Sequence, residues 1–122
     1  MSRQAVLLDT NILIDFLNGR KQARICFEGH TCLISRITWM EILAGSGDDE
    51  EASLREFLGS FEVIELSAEV AEEAVLIRKA RRLRLPDAII LATARICRCR
   101  LFTRNTKDFK TSWPEVVVPY KM

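Results

Sequence analysis

Short apolar runs rich in strand-forming residues alternate along the chain with longer segments of helical period. Ala5 to Leu8 reads as a buried strand, followed by capping residues at Asp9-Thr10 and a helix from about Asn11 to Leu17 that stops at Asn18-Gly19. Thr31 to Ser35 reads as a second strand. The segment Arg36 to Ala44 has helical character and is apolar nearly all round, which predicts burial, and Gly45-Ser46-Gly47 ends it. Asp48 to Leu58 predicts an amphipathic helix with Leu54, Phe57 and Leu58 inward, and Phe61 to Leu66 a third strand. Ser67 opens a long helix whose stripe is Val70, Ala74, Ile77 and Ala80 and which runs into the basic segment RKARRLR. Pro86 fits the first turn of the next helix, Pro86 to Ile96, with Asp87 just inside its N-terminus. Leu101 to Thr103 and Val116 to Val118 complete the strands.

Strands alternating with helices predict an α/β sandwich with a mostly parallel sheet, in which ligands bind outside the carboxyl ends of the strands. No repeat, linker or low-complexity stretch divides the sequence, so residues 1–122 are expected to form a single domain. Its 122 residues and 48% hydrophobic content suffice for a core without disulfide staples. A net charge of +1 gives no global field, so any nucleic-acid partner has to be met by local patches. Arg78, Lys79, Arg81, Arg82 and Arg84 form one such cluster, and Arg95, Arg98, Arg100 and Arg104 another; phosphate contacts need cations of this kind, and solvated helix faces carry them too. Cys26, Cys32, Cys97 and Cys99 lack C-x-x-C pairing and are expected to be reduced thiols. With no signal-peptide pattern and no run of the roughly 20 apolar residues a membrane span needs, a cytoplasmic location is expected.

The chemistry is carried by three carboxylates that each stand alone in an apolar stretch: Asp9 in QAVLLDTNILI, Glu41 in ITWMEILAGSG and Asp87 in LPDAIILATA. Ionised carboxylates are rarely placed in such surroundings without a cation or dense hydrogen bonding. Asp9 alone is also a plausible N-cap and Asp87 alone a complement to a helix dipole, but a cap cannot be invoked for Glu41 in mid-helix. Asp9 lies at the end of the first strand, and Asn105 and Asp108 follow the fourth, toward the same edge; Asp108 taken alone is as well a turn residue. Asp15 reads equally as support for the site or as an exposed helix residue. Clustered carboxylates repel unless a divalent cation offsets them, and an oxygen-only donor set favours Mg2+ or Mn2+ over zinc. Phosphodiester hydrolysis is the natural reaction class.

Four segments in order, VLLDTNILIDFL, SRITWMEIL, RLPDAIILATA and LFTRNTKDF, resemble a PIN-domain nuclease of the VapC toxin type over essentially the whole chain. The resemblance implies a three-layer α/β/α sandwich and Mg2+- or Mn2+-dependent cleavage of RNA. It assigns the metal-binding carboxylates to Asp9, Glu41 and Asp87, and the polar pair that orders the site to Thr10 and Asn11. At the fourth position Asn105 stands where many relatives carry aspartate, with Asp108 three residues on, a departure that bears on a second metal. The resemblance also implies a homodimer and a small antitoxin along the active-site groove, and Trp39, Met40, Leu54 and Phe57 are candidates for apolar contact surface or for core.

Other chemistries fit less well. A phosphatase of the haloacid dehalogenase type needs an aspartate at position 11, where this chain has Asn11, and no P-loop is present. His30 is the sole histidine, so ribonuclease chemistry with paired imidazoles is excluded. The competing reading is a catalytically silent binding module on the same fold, which Asn105 favours and the three lone carboxylates oppose.

Overall fold

A computed structural model describes residues 4–121. Its sheet has the order β3-β2-β1-β4-β5, where β1 is Gln4–Leu8, β2 His30–Ser35, β3 Glu62–Ile64, β4 Arg100–Phe102 and β5 Val116–Val117, and every pairing is parallel. Side chains alternate across β1, so Val6 and Leu8 enter one core and Leu7 the other. Helices cover both faces, because a parallel strand can be reached only by a crossover. On the Val6 side lie α1 (Thr10–Leu17), a 3₁₀ stretch (Lys21–Phe27), α2 (Arg36–Ala44) and α3 (Glu51–Leu58), which contribute Ile12, Leu13, Cys26, Ile42 and Leu58. On the Leu7 side α4 (Ala68–Arg81) supplies Val70, Ala74 and Ile77, and α5 (Leu85–Ile96) is buried from Ala88 to Ala94. The result is the expected three-layer α/β/α sandwich.

Strand order reverses at β1: the chain first builds outward through β2 and β3, then returns to β1's other side through β4 and β5. The crevice of such a sheet opens at the carboxyl ends of the two strands where the order reverses. Asp9 directly follows β1, and its amide donates to the Phe102 carbonyl at 2.9 Å, extending the β1–β4 ladder to the lip of that crevice.

Two expectations are corrected. Burial of α2 fails: Thr38 and Ile42 are buried, whereas Met40 and Glu41 are exposed, because neighbours cover only part of this short helix. The third strand shrinks to Glu62–Ile64 at the sheet edge, where a single neighbour holds it. The 3₁₀ stretch was not anticipated, although Ala23 and Cys26, its buried residues, are spaced by three, the period of that helix. Cys26, Cys97 and Cys99 are unbridged.

Candidate functional site

Asp9 has extended backbone (φ −70°, ψ 157°) and caps α1, its Oδ1 accepting from the Thr10 amide at 2.8 Å. Oδ2 accepts from the Thr103 hydroxyl at 2.7 Å and from the Asn11 side-chain amide at 3.2 Å. The N-cap reading and the functional reading are therefore both satisfied by one residue. Asp9 is 4% exposed, and burial pushes its carboxyl up to about 6. The hydrogen bonds from Thr103 and Thr10 oppose this shift, and the charges of Asp87 and Glu41 add to it.

Glu41 reaches toward Asp9 from α2 through Thr10, whose hydroxyl donates to its Oε1 at 2.8 Å and lies 2.9 Å from the Thr38 hydroxyl. Asp87 stands half-buried in the first turn of α5 and is also pushed up, by burial first and then by the charges of Asp108 and Glu41; Arg84 works against this. Asn105 donates its side-chain amide to Asp108 Oδ2 at 3.0 Å and accepts from the Asp108 amide at 3.3 Å, closing the loop that follows β4. The fold thus brings Asp9 within reach of the charges of Asp87 and Glu41, and Asp87 within reach of those of Asp108 and Glu41, with Asn105 tied to Asp108.

Among the described residues no three carboxylates, histidines or cysteines are placed to hold one ion as they stand. Asp9, Glu41 and Asp108 each present oxygens to neighbouring protein donors. The donor set nevertheless fits a hard divalent cation. It offers only oxygen, it concentrates negative charge, and its innermost member is desolvated, so a cation would relieve both the repulsion and the burial cost.

Sequence reasoning missed Thr103 and Thr38, which carry no signal beyond standing at a strand end and one turn before Glu41. It also left Asp15 open. Asp15 is buried, receives Arg104 Nε at 2.6 Å and Nη2 at 2.8 Å, and accepts from the Tyr120 hydroxyl at 2.6 Å. Arg104 is therefore engaged in an intramolecular pair, as is Arg81, which pairs with Glu115 and stacks on Trp113. Arg95 pairs with Glu73. The basic clusters are partly structural. Of the apolar candidates, Trp39, Leu54 and Phe57 pack against the core and Met40 remains 50% exposed. Beside Glu41 a groove of about 490 Å³ is lined by Ile14, Leu17, Ile42 and Leu54.

The family described as PIN domain matches residues 6–111. The chain belongs to the PIN domain family. This PIN domain superimposes on a chain of a toxin–antitoxin complex from Klebsiella pneumoniae with a TM-score of 0.91 and 45% identity, covering 97% of this chain and 100% of that one. It is also similar to a chain of a DNA-bound VapBC from Salmonella typhimurium (TM-score 0.76, 25% identity, 93% and 95% covered). VapBC2 from Rickettsia felis, bound to a promoter DNA fragment, shares the fold (TM-score 0.78, 24% identity, 93% and 96% covered). No curated protein matches. These neighbours place the PIN domain with those of the VapC type. Among its described residues no helix is long and apolar enough to cross a membrane.

Proposed function

We propose that the chain, acting as one nuclease domain, is a Mg2+- or Mn2+-dependent endoribonuclease toxin of the cytoplasm. The observation that supports this reading best is the grouping of Asp9, Glu41, Asp87 and Asp108 near the sheet's switch point, with Asp9 buried and the carboxyls of Asp9 and Asp87 raised by burial first and by their acidic neighbours second. Asp9, Glu41 and Asp87 would hold the ion. Bound there, it would supply charge neutralisation at a phosphoryl group and an activated water. Thr10, Asn11 and Thr103 orient the carboxylates through their hydrogen bonds, and Asn105 and Asp108 bound the far side. Arg84, exposed and within charge range of Asp87, is suited to an RNA phosphate. Purified protein should cleave single-stranded RNA with Mn2+ or Mg2+, lose this on chelation and regain it on readdition; cleavage indifferent to chelator would overturn the reading.

The neighbours' toxin–antitoxin assemblies support a cognate antitoxin for this chain as well. The groove beside Glu41 has the apolar lining to receive its segment, and a basic residue from it would pair with the carboxylates. A homodimer would use apolar surface that the monomer leaves open; on the α4–α5 side Val75, Leu76 and Leu85 are exposed.

One observation favours a silent binding module instead: the amide of Asn105 holds Asp108 where a further carboxylate would add charge for an ion. The same cleavage assay separates the two.

A further inference from the structure

One buried carboxylate, Asp15, lies outside the residues proposed to hold the ion and accepts three hydrogen bonds. Asp15, in α1, is 4% exposed, yet it takes both arms of the Arg104 guanidinium, at 2.6 and 2.8 Å, and the Tyr120 hydroxyl at 2.6 Å. Three distant parts of the chain meet there: the first helix, the loop after β4 and the C-terminal segment beyond β5. Arg104 then connects this cluster to the site by its backbone. Its amide donates to Asn11 Oδ1 at 3.2 Å, and the Asn11 amide donates to Asp9 Oδ2 at 3.2 Å. The next residue continues the line, since the Asn105 amide donates to Thr103 Oγ1 at 3.0 Å and that hydroxyl donates to Asp9 at 2.7 Å.

We propose that Asp15 and Tyr120 are positioning residues for the carboxylate site: by clamping Arg104 they fix the loop that orients Asn11, Thr103, Asn105 and Asp108 around Asp9. The chemistry supports this over simple stability. A bidentate Arg–carboxylate pair sets direction as well as distance, and partners one step behind a ligand commonly tune its affinity for metal. The third hydrogen bond to Asp15 comes from Tyr120 in the C-terminal segment, so on this proposal the geometry of the site depends on a residue far from every motif that carries the chemistry.

This proposal rests on the metal-dependent reading of the site, and the experiment separates the two. Asp15→Asn and Tyr120→Phe are compared with wild type and with Ile77→Val, a core change on the opposite face of the sheet. In metal-free protein, amide exchange of Arg104 to Phe109 should rise by about tenfold in Asp15→Asn, the change that losing one charge-assisted hydrogen bond corresponds to, with α4 unaffected. Mn2+ affinity by calorimetry should fall about tenfold in Asp15→Asn and less in Tyr120→Phe, while Ile77→Val moves neither. Tyr120→Phe removes a single oxygen and keeps the ring, so it reports even if Asp15→Asn fails to fold. Exchange and affinity unchanged in the variants, or shifted equally by Ile77→Val, overturns the proposal alone. A wild type that binds no Mn2+ overturns the site reading and the proposal with it.

Discussion

The Thr103 hydroxyl donates to the Asp9 carboxylate over 2.7 Å, tying the end of β4 to the end of β1 through a buried charge. This bond works against the desolvation that raises Asp9, so its worth depends on the charge being present. Thr103→Val, nearly isosteric, should lower unfolding free energy at pH 7.5 by about 1–3 kcal/mol. At pH 4.5, where Asp9 is largely protonated in the folded state, the loss should be smaller. Urea denaturation at the two pH values checks this, and an equal loss at both would contradict it.

Asp9→Asn should stabilise the metal-free protein. Because the carboxyl is raised from 3.8 to about 6, the folded state holds its proton more tightly than the unfolded state. Stability from this group is therefore fully present below about pH 4 and lost as pH rises through about 6, a loss of up to about 3 kcal/mol at neutral pH. Asparagine is also a good N-cap, so the helix start survives. Thermal melts with chelator should show the variant above wild type at pH 7.5 and level with it at pH 4.

Asn105→Asp replaces an amide that donates to Asp108 Oδ2 at 3.0 Å with a second carboxylate. The metal-free protein should lose about 1 kcal/mol through like-charge repulsion, softened by solvent. Calorimetry with Mn2+ should show one site in the wild type without substrate and a second in the variant. Two tight sites in the wild type would contradict the account of Asn105.

Inhibition by the cognate antitoxin should weaken as Mg2+ rises, since a basic side chain and the ion would compete for Asp9, Glu41 and Asp87. Asp9→Asn should likewise bind the antitoxin less tightly. Affinity unaffected by either change would contradict this competition and mean that inhibition acts by covering the groove lined by Ile14, Leu17, Ile42 and Leu54 or through another surface altogether.

The strands and most helices were legible because each has one dominant period and clear punctuation: Ser67 caps α4 by accepting a hydrogen bond from the Val70 amide, and Pro86 sits in the first turn of α5. Asp9 and Asp87 could be singled out because both stand at element ends within apolar runs. Glu41 was singled out as a lone charge in an apolar run in mid-helix, where a cap cannot be invoked, yet it is exposed, because α2 is covered on only part of its circumference. The threonines around Asp9 and the Asp15–Arg104–Tyr120 cluster stayed hidden for a different reason. Their partners lie 28 to 105 residues apart, so no local pattern joins them.

The most direct test of the central claim is RNA cleavage by wild type, Asp9→Asn and Asp87→Asn at equal concentration in Mn2+, with circular dichroism confirming that all three are folded. The account predicts cleavage by the wild type and, from folded variants, a loss of at least about a hundredfold. Wild-type turnover by either folded variant would contradict it.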